Sequence, residues 1–368
     1  MRSAISLLGV LASGAVAGRR GDSTLEPPGT GEATLDVEPD GTEIVFGVVT
    51  LWLLASVFAI SCGGGNGVRV IKLAHGLPTS HPVHEAMVFL AQRAAEKSGG
   101  RIRIDIHPAE QLGTERECIE LLQMGALGMT KVSASVLENF VPLYAVFSLP
   151  YLFRDEAHRQ KVFHGEIGKR ILEAGEEQGL RGLTYYDAGS RSFYSKEKPI
   201  SSPADLDGLK IRTQESSLAI NMVKALGGAA TPIAWGELYT SLQQGVVDAA
   251  ENNPPSFYLS RHYEVARYYS LDEHTATPDV LLISVRLWHE LSPEEKAAVS
   301  TAAEESAKLQ LRLWRKATEE ALEALRAAGV HVVSPDKAPF VAAVESIYEP
   351  YRGEPELAAL IDDIRAVE

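Results

Sequence analysis

Only two cysteines, Cys62 and Cys118, occur in 368 residues, so no disulfide framework organises this chain. Cys118 falls inside a helical pattern, which makes it a core residue rather than a reactive thiol. Basic residues are in deficit, 35 Lys and Arg against 49 Asp and Glu, for a formal net charge of −14. That balance argues against a nucleic-acid partner, because phosphate backbones are held by basic surfaces. Phosphate loops, nucleophile elbows and CxxC pairs are all missing, and no internal repeat is evident. His81 and His84 could share a helix face, but Pro82 puts them at a helix start and no third ligand has suitable spacing. No metal site is expected. Without a catalytic set or a cofactor motif, the expected function is binding, not turnover, with no cofactor.

What is present divides the chain in two. Residues 1–67 read as a signal and linker region. An apolar segment with Arg2 comes first, and then a stretch rich in Pro, Gly, Glu and Asp that should be disordered. A second apolar run over 44–61 meets Cys62 and three glycines. An apolar run, small residues, a cysteine and glycines make the layout of a bacterial lipoprotein signal, with the Cys62 thiol as the lipidation site. Ala59-Ile60-Ser61-Cys62 is an imperfect lipobox, since an aliphatic residue is usual where Ala59 stands. The alternatives are an uncleaved transmembrane anchor, for which the run is long enough, and plain secretion.

From residue 68 onward the pattern is α/β, and 45% hydrophobic content over this length supports two lobes. Strands are expected over 70–74, 101–106 and 129–133, and helices over 82–97 and 115–124. Such alternation builds mixed, mostly parallel sheets flanked by helices. Strands near 183–186 and 279–284 should carry the chain between lobes as hinge strands. The segment 293–328 is the longest helix, opened by Ser292-Pro293-Glu294-Glu295 and closed by Gly329.

Residues 206–253 hold the chemistry. Arg212 ends a short Gly-Leu-Lys-Ile-Arg strand, Trp235 starts an amphipathic helix, and Asn252 ends the next strand. A guanidinium meets both oxygens of a carboxylate and stays charged when desolvated. Indole offers an apolar face with one N–H donor, and an amide both donates and accepts. Together they suit a small carboxylate with polar substituents.

This stretch resembles the substrate-binding subunits of tripartite ATP-independent periplasmic (TRAP) transporters, the DctP-type family. Leu206, Gly208, Lys210 and Arg212 match its L-x-G-x-K-x-R pattern. Gly189-Ser190-Arg191 before Lys198-Pro199-Ile200 matches its G-x-R segment. Residues 245–252 match G-V-V-D-G-x-E-N, with Ala249 in place of Gly. Gln111-Leu112-Gly113-Thr114-Glu115 and the run 147–153, FSLPYLF, add two more matches, and the likeness spans about 70–350.

The resemblance implies a two-lobed periplasmic binding protein fold with a long spine helix. One lobe would take 68–187 plus 279–318, the other 188–278 plus 319–368. It implies Arg212 as the carboxylate partner, Arg191 beside it, Trp235 on the ligand's carbon chain and Asn252 as an amide contact. Across the cleft, Glu115 would accept from ligand hydroxyls, while His75, Ser133 and Gln214 occupy further cleft positions. The expected ligand is a sugar acid such as a uronate or aldonate, delivered to TRAP membrane subunits in the periplasm by a lipid-anchored receptor. A C4-dicarboxylate or a keto acid is the alternative ligand, and a dicarboxylate should need a second cation in the first lobe. A ligand-presenting accessory of a sensor would share the fold.

Overall fold

The computed structural model describes residues 67–368; Cys62 and the apolar runs before it lie outside the described residues. Strands β1 (Arg69–Ala74), β2 (Ile102–His107), β3 (Met129–Ser133) and β4 (Leu180–Tyr186) alternate with helices and belong to one sheet. Then β5 (Arg191–Ser195), β6 (Lys210–Thr213), β7 (Ala229–Pro232), β8 (Ala249–Asn252) and β9 (Tyr268–Thr275) build a second. Strand β10 (Asp279–Ser284) returns to the first sheet, and β11 (His331–Val333) completes the second.

The first sheet has the order β2-β1-β3-β10-β4, and the second the order β11-β9-β5-β8-β6-β7. Pairing is parallel wherever a helix crosses between neighbours, as in β1–β2, β1–β3 and β6–β8. It is antiparallel where the chain enters from the other sheet. β10 runs against β3 and β4, and β5 runs against β8 and β9. Two connections cross between the sheets with only a few residues, β4 into β5 and β9 into β10. Asp187 lies in the first of these connections, and Asp279 opens β10 directly after the second.

Local chemistry fixes the helix ends that matter. Thr114 caps the helix Glu115–Met124 by a reciprocal capping box with Glu117, and Gly125 ends it at φ 73°. That left-handed conformation suits glycine. Ser292 and Glu295 form the same box at the start of the helix Pro293–Ala327. At 35 residues and about 1.5 Å per residue this helix is roughly 52 Å long. It packs on the helix Pro82–Lys97 of the first lobe and on Pro254–Leu259 of the second, so it is the spine.

The C-terminal end takes an unexpected course. Tyr348 donates to the Pro150 carbonyl at 2.7 Å, and His158 Nε2 lies 2.8 Å from the Ile364 carbonyl. The helix Pro355–Ala366 therefore returns to elements of the first lobe, whereas the sequence reading gave 319–368 to the second. The apolar side of this helix (Leu360, Ile361, Ile364) is buried in the core it shares with Phe147 and Phe163. Cys118 is likewise buried, and burial pushes its thiol up to about 11.

Candidate functional site

Between the sheets lies a cavity of about 700 Å³ of empty space, counting its open mouth. That is within the about 300–1,000 Å³ usual for small-molecule sites. Strand ends supply its walls, as expected for α/β sheets. From the second lobe come Arg191, Arg212, Gln214, Trp235, Asn252 and Asn253; from the first come His81, Glu115, Lys131 and Ser133, with Asp279 on the crossing strand.

Arg212 is buried, at 3% exposure, as the penultimate residue of β6. Its Nε donates to the Ile233 carbonyl at 2.8 Å, and its guanidinium carbon sits 5.7 Å from the centre of the Trp235 ring. Its Nη1 is buried and has no hydrogen-bond partner among the described residues. Burial pulls its pKa below the ordinary arginine value, with Glu251 working the other way. A cation held in this state favours an incoming anion.

Arg191 also lines the cavity, but it is already engaged. Its Nε and Nη2 donate to the two carboxylate oxygens of Glu251 at 2.5 and 2.8 Å. Burial opposes the Arg191 charge, yet Glu251 outweighs it and the pKa is raised. Glu251 Oε2 also faces His274 Nε2 at 3.5 Å, and His274 Nδ1 lies 2.7 Å from Asp272. Burial pushes Glu251 up, but Arg191 and His274 dominate and bring it down to about 2. His274 is lifted to about 9, because Asp272 and Glu251 overcome the opposing effect of burial. Arg191 is thus a support for the wall behind Arg212, charge-balanced before any ligand arrives.

Asn252 turns its Oδ1 to the backbone N–H of Asn253 at 2.9 Å, and its carbonyl accepts from Tyr269. Asn253 caps the next helix by accepting from Ser256 N, so its amide oxygen is occupied by the backbone. Gln214 and half-buried Trp235 line the same wall.

On the first-lobe side, Glu115 Oε1 accepts from Lys131 Nζ at 3.1 Å and from the backbone of Ser133 at 3.2 Å. Ser133 lines the cavity and caps the short helix after β3. His75 departs from expectation. It is 1% exposed and absent from the lining; its Nε2 lies 3.0 Å from His84 Nδ1, and its Nδ1 accepts from Leu77 N. Burial drives its pKa down to about 3, so it is a neutral structural imidazole. The end-of-strand rule pointed it at the cleft, but a histidine nine residues on captured it.

The lining also holds side chains that the sequence analysis did not assign to the site, Lys131, Asp279 and His81 among them. Lys131, 3% exposed, lies 3.1 Å from both Glu115 and Asp279. Burial opposes its charge, but the two carboxylates hold the ammonium above the ordinary lysine range. His81, at the start of a first-lobe helix, accepts at Nδ1 from Val83 N, which leaves Nε2 as the protonated nitrogen facing Ser256 Oγ at 3.3 Å. Ser256 belongs to the second lobe, so this contact bridges the cleft. Among the described residues no group of three metal-ligating side chains occurs.

A signal for Lys131 was present. Gly125 and Gly245 both end helices at φ 73°, and the helix caps Ser133 and Asn253 each follow eight residues later. In that register Lys131 is the first-lobe counterpart of Glu251. The lobes therefore share a helix–Gly–strand–cap unit that low residue identity hid.

The family model for bacterial extracellular solute-binding protein, family 7 (DctP), matches residues 73–354. Solved structures of TRAP periplasmic solute-binding proteins are similar over most of this chain. One from Xanthobacter autotrophicus, with bound β-D-galacturonate, is 40% identical, covers 81% of this chain and 100% of its own, and has a TM-score of 0.79. One from Bradyrhizobium, with α/β-D-galacturonate, is 42% identical over 81% and 99%, also at 0.79. A third from Roseobacter denitrificans, with β-D-glucuronate, is 39% identical over 82% and 100%, again at 0.79.

Proposed function

Because this chain belongs to the family 7 bacterial extracellular solute-binding proteins, the solute receptors of TRAP transporters, we propose that its cleft captures a sugar acid by its carboxylate and passes it to the membrane subunits. The protein is an extracytoplasmic, periplasmic solute-binding subunit. The observation that carries the ligand reading is the buried Nη1 of Arg212, without a partner in a cavity lined by polar groups. A carboxylate against Arg212 relieves that cost, and Trp235 supplies a flat face beside it for a pyranose ring. Asn252, Gln214, Ser133 and Glu115 supply donors and acceptors for hydroxyls. Uronates bound to similar proteins support a uronate within that class.

The protein acts by binding and closure, not by turnover. A ligand that touches both lobes favours the closed form over the open one. The lobes move as the segments 68–187 with 279–318 and 188–278 with 319–354, the last helix staying with the first. Lipidation at Cys62 holds the receptor at the membrane surface; mass spectrometry of the mature protein that finds a free terminus upstream of Cys62 would overturn this.

Titration calorimetry with D-galacturonate and D-glucuronate tests the ligand class. Micromolar affinity corresponds to about 8 kcal/mol. Replacing Arg212 with Ala should weaken binding at least thirtyfold, about 2 kcal/mol, in keeping with the loss of one partner of a buried ion pair. A change within threefold would remove Arg212 from the anchoring role.

A further inference from the structure

We propose that the Glu115–Lys131–Asp279 cluster sets the ligand specificity of the cleft: two carboxylates around one ammonium leave the first-lobe wall with one net negative charge, which receives hydroxyls and repels a second carboxylate. The inference rests on the sugar-acid reading and goes beyond it by naming what is rejected and by which residues.

A second cation in the first lobe is what a dicarboxylate would need, and Lys131 stands in the right place. Its surroundings reverse that meaning. The ammonium lies 3.1 Å from one oxygen of Glu115 and 3.1 Å from one oxygen of Asp279, so two carboxylates surround one positive charge. An ammonium has three N–H donors, and two are directed at these oxygens. Across the cavity the balance is opposite: Arg191 is paired with the carboxylate of Glu251, and Arg212 beside it has no salt-bridge partner among the described residues. Glu215 also lines the cavity, but it is half-buried, and solvent weakens its field.

The cleft is therefore polarised, positive at the second lobe and negative at the first. A monocarboxylate carrying hydroxyls lies along this polarity with its carboxylate on Arg212. The described hydrogen bonds of the first-lobe carboxylates fall on Glu115 Oε1 and Asp279 Oδ1. Glu115 Oε2 and Asp279 Oδ2 are left to accept from ligand O–H groups. A second carboxylate at that end meets acceptors with no proton to share, and its desolvation goes uncompensated. Lys131 acts through its neighbours as a positioning residue. It fixes both carboxylates in place, and Glu115 also accepts from the Ser133 backbone.

The test compares D-galacturonate with galactarate, which carries a carboxylate at both ends of the same carbon chain. The purified wild-type protein should prefer galacturonate at least tenfold by calorimetry. In the double variant Glu115→Gln/Asp279→Asn the wall becomes positive, and this preference should fall at least tenfold. Ring and open-chain shapes are common to both proteins, so the change in the ratio reads the charge of the wall. Glu115→Gln alone, which makes the wall neutral, should give an intermediate ratio and serves if the double variant does not fold. Equal wild-type affinity for both acids overturns the inference and leaves the sugar-acid reading intact. An unchanged ratio in a variant that still binds galacturonate does the same. Wild-type protein that binds neither acid overturns the functional reading and this inference with it.

Discussion

Glu110 of the first lobe accepts a hydrogen bond from the backbone N–H of Gly236 in the second, at 3.2 Å across the mouth of the cleft. Gly236 sits next to Trp235, and a Cβ on it would lie 2.2 Å from Glu110 Oε2, so the carboxylate is seated in the space that a glycine leaves. Ala109 and Glu110 are both held at positive φ, 52° and 57°, a conformation uncommon for residues other than glycine.

A bond that joins the lobes stabilises the closed form alone. Glu110→Ala should therefore weaken sugar-acid binding by about three- to tenfold, the range of a net hydrogen bond of about 1 kcal/mol. The melting temperature of the ligand-free protein should stay within about 2 °C of wild type. Calorimetry beside thermal shift checks this, and a fall in ligand-free stability with unchanged affinity would make Glu110 a loop-stabilising residue instead.

The two arginines of the cleft should respond oppositely to removal. Arg191→Ala leaves Glu251 buried and short of its main partner, a loss of about 3–5 kcal/mol of stability. Arg212→Ala removes a buried guanidinium whose Nη1 has no partner among the described residues, so ligand-free stability should hold or rise while binding is lost. Urea denaturation of both variants, set against their ligand affinities, should show this crossover. Equal destabilisation by the two would contradict the division of roles.

The chain Arg191–Glu251–His274–Asp272 gives the fold a pH signature. His274 is raised from 6.5 to about 9, so its contribution is complete below pH 6.5 and fades as the pH climbs through 9. Glu251 is depressed from 4.5 to about 2, so its contribution is complete above pH 4.5 and fades as the pH falls through 2. From these two groups, stability should be highest between about pH 4.5 and 6.5. His274→Gln should flatten the decline between pH 6.5 and 9 in a melting-temperature profile; an alkaline limb that survives the substitution would place its origin elsewhere.

Much of this fold could be read from local signals because its helices begin and end on strong caps. Thr114 with Glu117 and Gly125 bound one helix, and Ser292 with Glu295 open the spine. Arg212, Trp235 and Asn252 could be marked for a related reason, since motif spacing picks out two strand ends and the short turn after β7. Lys131 was not, because a lysine in Met-Thr-Lys-Val-Ser reads as an outward-facing position of a strand. Its burial depends on Glu115, sixteen residues before, and Asp279, far along the chain. His75 failed in the opposite direction: its position was right for the cleft, but its partner His84 could be chosen only by tertiary packing. The return of the last helix was hidden too, being set by backbone carbonyls that meet His158 and Arg154.

Trp235 joins the anchor to the ligand's ring, and its substitution should separate packing from charge. It lines the cavity at 5.7 Å from the Arg212 guanidinium and also approaches the ring of His262, 4.9 Å between centres. His262 is neutral, since burial first and Arg212 second lower its pKa to about 3. Thus the Trp235 ring covers Arg212, which makes no salt bridge among the described residues, and its charge stays available to the ligand. Trp235→Phe retains a face for the sugar and should reduce affinity less than tenfold. Trp235→Ala removes both that face and the cation–π contact, each worth about 0.5–2 kcal/mol, and should reduce affinity by roughly ten- to a hundredfold. Small carboxylates without a ring, such as acetate, should bind both variants equally weakly. If Trp235→Ala left sugar-acid affinity unchanged, the indole would belong to the wall around His262 and not to the binding surface.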